Sequence, residues 1–257
     1  MDKKYASYFI NTVIKFCVFI IMCALGSFMS NRLVPSPYNK LVPTGIAIIL
    51  SWFFLTVIEG NKRSFFAKGY VVENVVPGGV WGFGAAIAGP FIAIILKHRY
   101  FDWDAVTDVT GIFFDAIASG LFLAIVVYGY IFHIICSDFG YIPAVIVSSV
   151  IFGVFASASV SSGIMPFDAV LIPAAVYYGI IGAGAGMLIV GLGDMRSAAA
   201  YLFIFCITKS FADDFIVGGN DFFTDLAAPV MSVLCGISMY NELRRDREQK
   251  KKSYNYK

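Results

Sequence analysis

The side chains able to do chemistry in this chain are few, and they sit in unusual company. Lys15, Asp115, His133, Asp168, Lys209, Asp213 and Asp214 all lie inside or at the edges of long apolar runs. An ionisable group at membrane depth is costly, and is by default a candidate contact for an ion, a proton or a substrate. Asp115, near the start of one run, is the most informative of them. Lys209 and Asp213 stand one helical turn apart, which suits an intrahelical ion pair. Asp168 follows Pro166 and precedes an apolar run, the place of a helix-start acid favoured by the dipole. Asp115 and His133 are about five turns apart on an ideal helix; they face the same way but are separated by about 27 Å, so they cannot share a metal. His133 reads as an interfacial histidine.

Several chemistries are excluded. There is no HExxH, no GxSxG and no P-loop. The two histidines are His98 and His133, and the glutamates are Glu59, Glu73, Glu242 and Glu248. A zinc hydrolase wants about three protein ligands and a base, which this inventory does not assemble in any central pair of spans. No catalytic residue, metal site or cofactor is assigned. Cys17, Cys23, Cys136, Cys206 and Cys235 fall in or at the ends of apolar runs without a CxxC, and read as buried small side chains.

The elements that must position these groups follow from the composition. Hydrophobic residues make up 59% of the 257 and charged residues 14%, with mean hydropathy +0.78; soluble domains average about 25% charged. A hydrocarbon core about 30 Å thick takes roughly 20 apolar residues per helical crossing. Eight stretches are candidates, at 8–29, 42–59, 76–97, 111–136, 142–160, 167–190, 197–212 and 226–240. The runs are continuous and do not show the ten-residue alternation of a membrane barrel. The expected fold is all-α: a polytopic transmembrane helical bundle of about eight spans over 1–241, followed by a basic cytoplasmic tail over 242–257. The first span is too long for a signal-peptide core, lacks a small-residue cleavage site, and is expected to stay.

Lysines and arginines concentrate on one side if the N-terminus is cytoplasmic: Lys3, Lys4, Lys62, Arg63, Lys68, Arg196 and the tail, against Arg32, Lys40, Lys97 and Arg99. The positive-inside rule then predicts both termini in the cytoplasm of a cell (plasma) membrane protein. The tail is expected to extend the last helix and touch anionic lipid head groups. Membrane lipid is the first expected partner, with another membrane protein or a peptide as a further one; nucleic acid is not expected. The stretch 60–69 reads as a cytoplasmic loop or interfacial helix, and 98–110, with Asp102, Asp104 and Asp108 among aromatics, as a wet loop.

Two spans are rich in small residues. The third carries Gly78, Gly79, Gly82, Gly84 and Gly89; the sixth carries Gly179, Gly182, Gly184 and Gly186. Gly182 and Gly186 share a helix face and predict close backbone approach, inside one bundle or in a homodimer. Pro90 and Pro173 are candidates for mid-span kinks.

From Asp115 to Lys209 the chain resembles the CPBP family, the CAAX-protease and bacteriocin-processing intramembrane proteins. Val127-Tyr128-Gly129 stands where that family has Phe-Arg-Gly. Phe139-Gly140-Tyr141 and Ser148-Ser149-Val150-Ile151-Phe152 resemble its short loop and Ser-Ser-x-x-Phe helix, and 186–210 its Gly-rich helix, turn and last motif helix. The resemblance implies a CPBP-like core. It also shows departures: the EExxxR glutamates become Leu123 and Ala124, its arginine Tyr128, the two histidines Ala156 and Phe205, and the second histidine's partner Lys209.

Three functional readings follow. The first is a catalytically inactive, CPBP-like module that binds a membrane partner or lipid and regulates it. The second is a transporter or channel component using Asp115 and Lys209. The third is an active membrane-embedded hydrolase with an atypical aspartate site.

Overall fold

The computed structural model describes residues 3–36, 38–58, 71–105, 107–160, 171–218 and 225–255. The expected loop at 60–69 and the helix-start reading of Asp168 fall outside these residues. Helices occupy every apolar run: α1 (Lys3–Leu33), α2 (Leu41–Phe53), α3 (Val71–Ile95), α4 (Val109–Phe139), α5 (Tyr141–Val160), α6 (Leu171–Leu192), α7 (Met195–Phe215) and α8 (Ala227–Asn255). Among the described residues, five helical segments, those at Asn11–Ser30, Tyr38–Ile58, Val71–Ile95, Val109–Phe139 and Leu171–Leu192, are long and apolar enough to cross a membrane, and Tyr141–Ser157 is a shorter apolar helix. Large apolar side chains such as Ile21, Leu25, Val80, Phe91, Ile146 and Val150 point outward. A water-soluble monomer does not expose apolar surface on this scale; lipid is the solvent that fits it. The chain is a multi-pass integral membrane helical protein.

The all-α bundle also carries one short ladder. Arg99–Phe101 (β1) pairs antiparallel with Ile216–Gly218 (β2), Tyr100 opposite Val217. This short ladder joins the connections that follow α3 and α7, and it marks one end of the bundle, here called the sheet end. Asp102 N donates to the Phe215 carbonyl (2.8 Å) and Thr107 Oγ1 to Asp214, fastening the same two connections. The stretch 98–110 is therefore partly ordered by a ladder that period-based reading does not show, because each strand is only three residues long.

α4 departs from an ideal helix. Its segments Ile117–Leu121 and Ala124–Ile131 are π-helical, and every residue of the second is buried. The wider turns break the 3.6-residue phase, so the shared face expected for Asp115 and His133 does not carry through the rod. Thr44 Oγ1 of α2 donates to the Ile117 carbonyl at 3.3 Å, giving a partner to a backbone group in the first π segment. Phe19 and Phe54 pack on Tyr130, at ring-centroid distances of 4.1 and 5.4 Å, and so join α1 and α2 to α4.

In lipid, helices gain little from hiding apolar surface from one another, and association depends on close packing of small residues. The α3–α7 crossing shows this directly. A Cβ on Gly78 would lie 2.1 Å from the Ser197 carbonyl oxygen, and one on Gly82 would lie 2.2 Å from that of Tyr201. Gly182 and Gly186, the pair expected to admit a neighbouring backbone, meet Tyr128, Phe152 and Val145 of the same chain. Their close approach is thus an internal one. Gly140 (φ 85°) turns α4 into α5, and Gly193 (φ 72°) turns α6 into α7, both in the left-handed region open to glycine. α8 continues as helix through the basic tail to Asn255.

Candidate functional site: a vestibule among four helices

α3, α7, α6 and α8 pack in succession around a ring, each touching the next. At mid-height the ring is closed. Tyr201 Oη of α7 and Ser232 Oγ of α8 are 2.7 Å apart. Ser232 gives its own proton to the Ala228 carbonyl at 2.8 Å, so Tyr201 is the donor to Ser232. Gly184 of α6 leaves room for this contact: a Cβ there would lie 3.2 Å from Ser232 and 3.3 Å from the Tyr201 hydroxyl.

Toward the sheet end the ring opens into a cavity of about 960 Å³. That volume lies within the roughly 300–1,000 Å³ usual for small-molecule sites. Ala86, Gly89 and Pro90 of α3 form one wall, and Ile172, Val176 and Ile180 of α6 the facing one. Phe205 and Ala228 lie deeper. The tyrosines Tyr177 and Tyr178 also line the cavity, with ring centroids 5.1 Å apart at an interplanar angle of 89°. Charge enters from four residues: Lys209 and Asp213 of α7, Arg99 of β1, and Asp225 just before α8. The β2 residues Ile216–Gly218 complete the rim.

The sequence-derived candidates separate here. Lys209 Nζ donates to Asp213 Oδ2 at 2.9 Å, the expected i,i+4 pair, and both line the cavity. Both side chains stay accessible, at 37% and 54%. Asp115 is elsewhere. It pairs with Lys40 at the sheet end, beyond the cavity lining, and is 61% exposed. His133 is half-buried near the end of α4, and Asp214 accepts from Thr107. Among the described residues no group of three or more His, Cys, Asp or Glu is placed to hold a metal ion. All five cysteines are free thiols; Cys23 and Cys235 are buried, but Cys17 is exposed on α1.

Sequence reading missed the most buried charge among the described residues. Asp194, 1% exposed, is the N-cap of α7. It accepts from Arg196 N (2.9 Å), from Asn74 Nδ2 of α3 (2.9 Å) and from the Arg196 guanidinium. Ser197 Oγ adds a bond to the Asp194 carbonyl at 2.6 Å. This node ties α3 to α7 at the end opposite the sheet. Its sequence signal was present as Gly193-Asp194, a helix-ending glycine followed by a capping acid.

The positions where the CPBP pattern places glutamate and histidine, Leu123, Ala124, Ala156 and Phe205, are all buried and belong to one apolar core. Tyr128, at the pattern's arginine, is fully buried and donates to the Gly182 carbonyl at 2.6 Å. No protein-family model matches this chain, and no curated protein and no solved structure matches it.

Proposed function

We propose that this protein is a membrane-embedded binding module, not an enzyme, whose vestibule at the sheet end accepts an amphipathic ligand. The observation that carries the reading is the cavity itself: apolar walls from α3 and α6, with charge, among the described residues, at Lys209, Asp213, Arg99 and Asp225. A ligand with an apolar body and a polar head matches such a lining, and few precisely placed polar groups over apolar walls are the usual composition of a binding site. In this reading the termini are cytoplasmic and the vestibule opens toward the outer leaflet. The CPBP resemblance belongs to the same proposal. An apolar core at Leu123, Ala124, Ala156 and Phe205 supports a bundle that keeps the scaffold and leaves water activation aside.

The test is photo-crosslinking with a diazirine-bearing single-chain lipid in bilayers. Labelled peptides from α3, α6 and the start of α8 are expected. Labelling spread evenly over the outer faces of α1 and α5, with none in the vestibule walls, would contradict the reading.

A second reading is favoured by one specific feature. The Tyr201–Ser232 contact crosses the ring one helical turn along from the lining residues Phe205 and Ala228, the place of a closed gate. A transporter or channel component would have to part these hydroxyls. Proteoliposome flux that rises in Ser232→Ala and is absent in the parent protein would favour it.

A further inference from the structure

The vestibule's charges suggest the chemical class of its ligand, an inference that rests on the binding reading above. Among the described residues, Lys209 and Arg99 bring two positive charges and Asp213 and Asp225 two negative ones, so the described lining carries no net formal charge. A purely anionic or purely cationic head gains one set of contacts there and is opposed by the other. A head carrying both signs gains both. Lys209 and Asp213 already satisfy each other across 2.9 Å, yet remain 37% and 54% accessible, so each can turn a face to a ligand without leaving its partner. Next to them stand Tyr177 and Tyr178, set edge to face at 5.1 Å, with Phe205 deeper. Aromatic faces beside a carboxylate are the chemistry that recognises alkylammonium groups. Lysine and arginine are the chemistry that recognises phosphate.

We infer that the vestibule binds a phospholipid-like amphiphile with a zwitterionic head: phosphate toward Lys209 and Arg99, ammonium toward Asp213 and the Tyr177–Tyr178 pair, and the acyl chain along Ile172, Val176 and Ile180.

The experiment is native mass spectrometry of the full chain, stripped of lipid in a non-ionic detergent and offered single-chain probes. Lysophosphatidylcholine is expected to be retained about tenfold better than lysophosphatidic acid, which lacks the ammonium, or monoacylglycerol, which lacks both charges. Asp213→Asn should reduce the preference over lysophosphatidic acid to about twofold. Lys209→Met should lose lysophosphatidylcholine but keep an alkyltrimethylammonium. Lysophosphatidic acid or monoacylglycerol held as tightly as lysophosphatidylcholine would overturn the zwitterion assignment and leave the binding module standing. Displacement by phosphocholine alone at equal concentration would mean a soluble zwitterion, and would overturn the lipid assignment. Failure to hold any single-chain amphiphile would remove the binding reading itself.

Discussion

The Tyr201 and Ser232 hydroxyls meet at 2.7 Å between α7 and α8, one helical turn along from Phe205 and Ala228 of the vestibule lining. Nothing charged lies between them, so the closure depends on one neutral hydrogen bond, on Gly184 behind it and on the packing of the ring. Tyr201→Phe should therefore lower thermal stability in detergent by about 0.5–1.5 kcal/mol, the value of one such bond. Ligand retention should persist, because the vestibule walls are untouched. A variant that unfolds altogether, or one with unchanged stability, would show that the contact does not have this weight.

The α3–α7 crossing has no room for a methyl group. Gly78→Ala and Gly82→Ala would each set a Cβ against a backbone carbonyl oxygen, at 2.1 and 2.2 Å. Each should cost about 1–3 kcal/mol of stability through forced separation of the helices. Gly45→Ala is the control: nothing lies within 4 Å of its added Cβ, and the gain in helix propensity should leave stability unchanged or raised by up to about 1 kcal/mol. Equal effects at Gly45 and Gly82 would refute the tight crossing.

Asp194 ends the same interface on its other side. Asp194→Ala removes the cap of α7 and the acceptor that Arg196 and Asn74 share, so a loss of about 3 kcal/mol is expected. Asp194→Asn keeps the cap and should cost less. A melting curve for Asp194→Ala within 1 °C of the parent protein's would count against the node.

The two acidic candidates picked out from sequence, Asp115 and Asp213, should behave differently. Lys40–Asp115 is accessible and outside the vestibule lining, so Asp115→Asn should change stability by less than about 0.5 kcal/mol and leave ligand retention as it was. Lys209→Met should reduce retention with little effect on folding. The reverse pattern would return the functional centre to Asp115.

These contrasts show how far the chain was legible. Helices appear at each apolar run because hydropathy over twenty residues is a strong signal, and the Lys209–Asp213 pair follows from i,i+4 spacing alone. The ladder of β1 with β2 was hidden because three-residue strands carry no period. The π segments of α4 were hidden because they break the period that sequence reading assumes. Asp194 was overlooked because it lies between two apolar runs, where a turn residue draws little notice, although Gly193 before it announced the helix end. The vestibule could not be read at all. Tyr177, Lys209, Arg99 and Asp225 come from separate elements, and only the ring of α3, α7, α6 and α8 brings them together.

The most direct test of the central claim compares the parent protein with Ala174→Trp, which fills the cavity from a half-buried position on α6. Both would be purified in mild non-ionic detergent and their tightly held lipid counted by native mass spectrometry. A vestibule that binds an amphiphile predicts close to one retained lipid per parent chain and a loss of most of it in Ala174→Trp, with both proteins melting alike. Equal retention by the two would contradict it.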